Sequence, residues 1–109
     1  MHQLCNFEQL TNHHSKGFEV AGQSLFVVRK NEQVYAYLNS CPHLGIELNW
    51  QEDGFLTYEK ELIQCSTHGA LFTIDKGHCV AGPCSGEHLT AIDTRVEQGV
   101  VWVDLAVAR

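Results

Sequence analysis

Two short clusters of metal-binding residue types stand out in the chain: Cys41-Pro42-His43 and Cys65-Ser66-Thr67-His68. Cysteine thiolates and histidine imidazoles are donors for borderline and soft metals, zinc and clustered iron among them. Each pair is tight enough for a single loop to present both side chains. The two pairs are separated by the 21 residues numbered 44–64, so the chain between them must double back if all four side chains are to meet. Gly45 and Gly69, just beyond each pair, permit the sharp curvature that such loops need.

The flanking sequence supplies elements that can position these loops. Leu4, Phe7 and Leu10 are apolar residues for an edge strand or an irregular cover over a core. The stretch from Thr11 to Gly17 reads as an exposed loop, with His13 and His14 facing solvent. Phe18 and Val20 then precede a turn around Gly22, and Leu25 to Val28 form an apolar strand interrupted at Asn31 and Glu32. Val34, Ala36 and Leu38 alternate with Tyr35 and Tyr37, so this hairpin can cover a core on one face and pack aromatic rings on the other.

Beyond Trp50, itself expected in packing, a second hairpin is expected from residues 55–58 to residues 61–64 with its turn at Glu59 and Lys60. That hairpin returns the chain from the first metal-type loop to the second. Leu71 to Ile74, Leu89 to Ile92 and Val100 to Leu105 are further strand candidates, with Trp102 packed, and the Gly/Pro-rich run from Val80 to Gly86 reads as a loop. No heptad or internal repeat interrupts this succession of short strands. A small all-β sandwich or barrel accounts for it best.

Composition narrows the function. A chain of 109 residues is one ordinary domain. The net charge of -6 with neutral histidines disfavours nucleic acid and anionic lipid, and favours a partner with a basic docking face. The first ten residues carry no basic leader, and no window is a continuous membrane span, so the expectation is a soluble cytoplasmic protein without membrane insertion. Five cysteines in a reducing compartment argue against a disulfide framework. Cys79 and Cys84 are expected mainly as reduced side chains, with a local disulfide as the alternative, and His78 and His88 as surface or turn residues.

With these residues in view, the chain resembles the Rieske [2Fe-2S] family, in particular the small Rieske-type ferredoxins. Cys41-x-His43 and Cys65-x-x-His68 match the family's two ligand pairs, and Gly82-Pro83-Cys84 resembles its shielding Gly-Pro loop. The resemblance implies an antiparallel β-sandwich over residues 1–109 with a cluster-binding subdomain at approximately 40–85. It implies one [2Fe-2S] cluster, with Cys41 and Cys65 on the buried iron and His43 and His68 on the outer one. Around it, Leu44, Gly45, Ile46, Gly69, Ala70 and Leu71 would supply loop curvature and backbone donors, and Gly82, Pro83 and Cys84 would cover one side.

The chain departs from the family pattern in informative ways. The 44–64 connection is longer than the common spacing, and the hairpin between Trp50 and Glu61 would absorb the extra length. Ile46 and Thr67 stand where respiratory-complex Rieske proteins carry a pair of bridging cysteines. Ala70 and Phe72 stand where those proteins carry serine and tyrosine donors. Fewer donors to the cluster imply a lower potential than in the quinol-oxidising proteins.

The implied role is one-electron transfer from a flavoprotein reductase to a terminal oxygenase or other oxidoreductase, without independent substrate turnover. Two alternatives remain open at this point. The chain could be a small accessory electron-transfer subunit of a larger oxidoreductase, or a structural zinc-binding interaction module, since the same donors suit tetrahedral zinc.

Overall fold

The computed structural model describes residues 2–40, 55–57, 61–65, 69–82 and 86–108, with side chains to residue 105. Nine strands occupy these segments, and all their pairings are antiparallel. The only helical element among them is a 3-10 turn at Phe7–Gln9. The expected all-β class is borne out.

Six strands form one sheet: β1 (His2–Asn6), β2 (His14–Val20), β3 (Gln23–Lys30), β4 (Gln33–Leu38), β8 (Ala91–Glu97) and β9 (Val100–Ala108). Their order is β1-β9-β8-β4-β3-β2. Tight turns set the register. Ala21 and Gly22 join β2 to β3, and Gln98 and Gly99 join β8 to β9, with all four residues at positive φ. Paired positive φ with glycine second matches the twist that a two-residue hairpin loop requires. Asn31, at φ 59, opens the two-residue connection from β3 to β4.

β4 and β8 are neighbours, through Ala36 opposite Ile92 and Tyr37 opposite Ala91, although about fifty residues of chain separate them. The Leu38 amide donates to the Thr90 carbonyl at 2.9 Å and so ties the exit of that excursion to its return. Within the excursion a second sheet forms from β5 (Leu62–Gln64), β6 (Leu71–Thr73) and β7 (Cys79–Ala81), in that order. The second expected hairpin is present: Leu56 bridges Ile63, and Thr57 and Gln64 donate to the carbonyls of Leu62 and Phe55. Its turn, together with Trp50, lies outside the described residues.

Alternation along β3 and β4 divides the interior into two cores. Leu25, Val27, Val34 and Ala36 join Leu10, Ile92, Val101 and Val103 on one face, with Leu4 and Phe7 packed against them. Phe26, Val28 and Tyr37 point the other way and join Phe55, Ile63, Cys65, Phe72, Ile74 and Leu89. The aromatic face of the hairpin is therefore the seat of the second sheet. Phe26 and Phe55 stack with ring centroids 4.4 Å apart, and the buried Tyr37 hydroxyl donates to the Ile74 carbonyl at 2.6 Å.

Three expectations shift. The stretch read as a loop from Thr11 to Gly17 becomes β2 from His14 onward, because edge pairing with β3 satisfies its backbone while its side chains keep partial access to water. The Gly/Pro-rich run begins as a strand, since Ala81 pairs with Leu71. The strand expected from Leu89 starts instead at Ala91, where pairing with Tyr37 begins, and Leu89 turns into the second core. Trp102 is half-buried within β9, opposite Gln3 and Arg95.

Candidate metal centre

The second sheet delivers Cys65. This residue directly follows β5 and is completely buried. The turn beyond it is closed twice: the Cys65 amide donates to the Ala70 carbonyl at 2.9 Å, and the Gly69 amide donates to the Cys65 carbonyl at 2.8 Å. Gly69 takes φ +69, a conformation that glycine reaches without a Cβ penalty. Closing this turn is therefore what the Gly69 amide does.

A third segment comes down on this turn. An ideal Cβ at Gly82 would lie 2.7 Å from the Ala70 Cα and 3.2 Å from its amide nitrogen, so only glycine allows the two backbones to approach this closely. The start of the Gly82-Pro83-Cys84 stretch thus rests on the loop that holds Cys65. Ala70 is completely buried beneath the contact.

Glycine plays a similar part ahead of β7. Gly77, at φ +67, sits where a Cβ would come within 2.7 Å of the Tyr37 ring. Burial, with the negative charge of Asp75 second, pushes the Tyr37 hydroxyl far above the ordinary tyrosine range and keeps it a donor to Ile74. Tyr37 and Gly77 fix the second sheet onto the first, a role that sequence reasoning missed. The alternation marked Tyr37 as an inward aromatic but gave no sign of its partner.

The remaining residues of the expected site, Cys41, His43, Leu44, Gly45, Ile46, His68, Pro83 and Cys84, lie outside the described residues, as does Thr67. Among the described residues no three His, Cys, Asp or Glu side chains gather into a metal site. Cys79 is a buried reduced thiol that donates to the Ala81 carbonyl at 3.1 Å. Burial pushes the Cys5 thiol on β1 upward, which disfavours its thiolate. His13 and His14 are exposed, as expected. His78 and His88 are exposed too, and they face each other as an antiparallel bridge.

A buried thiol on a turn braced by its own amides, roofed by a glycine-only contact, is a setting for a sulfur-ligated centre. Comparison with known families decides which one: the Rieske [2Fe-2S] domain matches residues 1–100. The chain belongs to the Rieske [2Fe-2S] family. Its cofactor is accordingly one [2Fe-2S] cluster, and the two Cys-His pairs carry the donor chemistry that a Rieske centre requires. Family membership displaces the zinc-module alternative.

Known relatives extend the comparison. Cholesterol 7-desaturase of Caenorhabditis elegans is 33% identical over 81 residues, which is 73% of this chain but only 18% of the desaturase. The chain therefore spans less than a fifth of that relative. The ferredoxin of carbazole 1,9a-dioxygenase from Nocardioides aromaticivorans superposes with a TM-score of 0.75 at 27% identity, covering 94% of this chain and 97% of the ferredoxin. The terminal oxygenase of the same system has a TM-score of 0.78 at 22% identity, but the match covers 29% of its chain and shares the fold alone. Among the described residues no helix is long and apolar enough to cross a membrane.

Proposed function

We propose that this chain is a one-electron carrier of the Rieske ferredoxin type, taking electrons from a flavoprotein reductase and passing them to a terminal oxygenase or another oxidoreductase. The observation that carries this reading is the likeness to a dioxygenase ferredoxin over 94% of this chain and 97% of the ferredoxin. Cys41 and Cys65 hold the inner iron as thiolates, and His43 and His68 hold the outer iron as neutral imidazoles. When bound, the cluster supplies one reversible electron.

The chain's own residues then do three things. The closed turn at Cys65 holds the backbone that presents one thiolate to the inner iron. Gly82 and the residues after it exclude water from one side of the centre, within a subdomain at approximately 40–85. Ala70 and Phe72 bring no hydroxyl donor, which keeps the potential low within the family's range. The net charge of -6 favours a basic face on the partner.

A second reading has its own support: the same fold makes up 29% of a terminal oxygenase chain, and the sequence matches 18% of a desaturase. On that reading the chain is an accessory electron-transfer component of a larger oxidoreductase. Anaerobic rapid mixing of the cluster-loaded protein with candidate reductases, followed by mixing with candidate oxygenases, tests the carrier. Reduction and reoxidation without stable association support it; stable copurification with a catalytic subunit supports the accessory reading. Failure of every reductase to reduce an intact cluster overturns the carrier.

A further inference from the structure

His78 and His88 bracket the stretch that contains Gly82, and the backbone holds them face to face. The Cys79 amide donates to the Glu87 carbonyl at 2.9 Å and the Leu89 amide to the Gly77 carbonyl at 2.8 Å, one bond on each side of the pair. His78 and His88 are thus a non-hydrogen-bonded antiparallel pair, the geometry that brings opposed side chains closest, with Cα atoms about 4.5 Å apart. On its other edge, His78 is held to β6: its amide meets the Thr73 Oγ1 at 3.2 Å, and the Thr73 amide donates to its carbonyl at 2.9 Å.

The rings match this placement. Their centroids lie 6.1 Å apart with planes inclined by 31°, and both side chains are exposed. The His88 Nδ1 is 3.0 Å from the Leu89 carbonyl oxygen. A carbonyl only accepts, so Nδ1 carries the proton, and in the neutral imidazole Nε2 is the nitrogen with the lone pair. Two imidazoles bound to one tetrahedral zinc at about 2.0–2.1 Å place their ring centroids about 5 Å apart. The observed pair reaches that spacing by closing about 1 Å, a small rotation for exposed side chains on a fixed backbone.

We propose that His78 and His88 form a two-imidazole site for a borderline divalent transition-metal ion of the Zn2+, Ni2+ and Cu2+ group, with water completing the coordination. Imidazole suits these ions, and the negative net charge of the chain favours their approach. Neither residue belongs to the proposed cluster ligand set, so the site stands apart from the electron-transfer reading. An ion bound there clips together the two ends of the chain segment that includes Gly82.

The test is a calorimetric titration of Zn2+ into the oxidised, cluster-loaded protein, with the visible spectrum recorded before and after. One equivalent is expected to bind, with affinity falling at least tenfold in His78→Gln and in His88→Gln and unchanged in a variant carrying His13→Gln and His14→Gln. Cu2+ added to the wild-type protein should give an electron paramagnetic resonance signal split by two equatorial imidazole nitrogens, a readout independent of how any variant folds. Absence of one-equivalent binding, binding that survives either substitution, binding lost with His13 and His14, or a copper signal without two imidazole nitrogens would each overturn the proposal.

Discussion

Gly82→Ala should separate backbone strain from contact at the segment lying over Cys65. At φ +96 an L-residue is strained by about 1–3 kcal/mol, wherever in the fold it sits. The new methyl group would also meet the Ala70 Cα at 2.7 Å, and that atom is backbone, unable to rotate aside. Overpacking of this kind costs about 1–3 kcal/mol more. Gly86→Ala supplies the control, because Gly86 has φ +90 but nothing within 4 Å of its ideal Cβ. The difference between the two variants therefore measures the contact alone. At roughly 4 °C per kcal/mol for a domain of this size, Gly82→Ala should melt about 4–12 °C below Gly86→Ala. Thermal melting of the cluster-loaded proteins and the rate of bleaching of their visible absorption in air are the assays. Equal melting temperatures and equal bleaching rates in the two variants would refute the close approach of residue 82 to the Cys65 loop.

Four further outcomes follow. Tyr37→Phe leaves the buried Ile74 carbonyl without its donor and should lower stability by about 1–3 kcal/mol, measured by denaturant unfolding. Because Tyr37 titrates above the ordinary value of 10.0, the unfolded chain loses this proton first as the pH rises. The folded state then binds more protons than the unfolded one, so stability should fall from about pH 10 upward, and Tyr37→Phe should flatten that decline in melts recorded across the alkaline range. Cys79→Ala should leave the cluster spectrum intact, since its thiol donates to the Ala81 carbonyl, whereas Cys41→Ser or Cys65→Ser should abolish normal assembly in iron and sulfide analysis. Potentiometry should place the midpoint in the lower part of the Rieske span of about -150 to +300 mV, and a strongly positive value would contradict the role given to Ala70 and Phe72.

Much of this was legible in the sequence because alternation along a strand is a local signal. The pattern from Leu25 to Leu38 gave both faces of β3 and β4, and the Cys-His pairs pointed to the family that the domain match shows. What escaped was set by partners distant in sequence. The polar stretch from His14 to Gly17 looks like a loop until β3 is available to pair with its backbone. Val80 and Ala81 look like loop until Leu71 stands opposite. Gly77 and Gly82 look like ordinary turn glycines, and only the positions of Tyr37 and Ala70 show why a Cβ cannot be accommodated. The facing of His78 and His88 was hidden for the same reason: a ten-residue interval says nothing until the bridge between them is seen.

The central claim is the mixed ligand set, and pulsed electron paramagnetic resonance of the dithionite-reduced protein, prepared with 15N-labelled histidine, tests it most directly. Two strongly coupled histidine nitrogens on a reduced two-iron centre are the predicted result, with one coupling lost when either His43 or His68 is replaced. A two-iron signal with no histidine coupling, or couplings that persist in both variants, would contradict it.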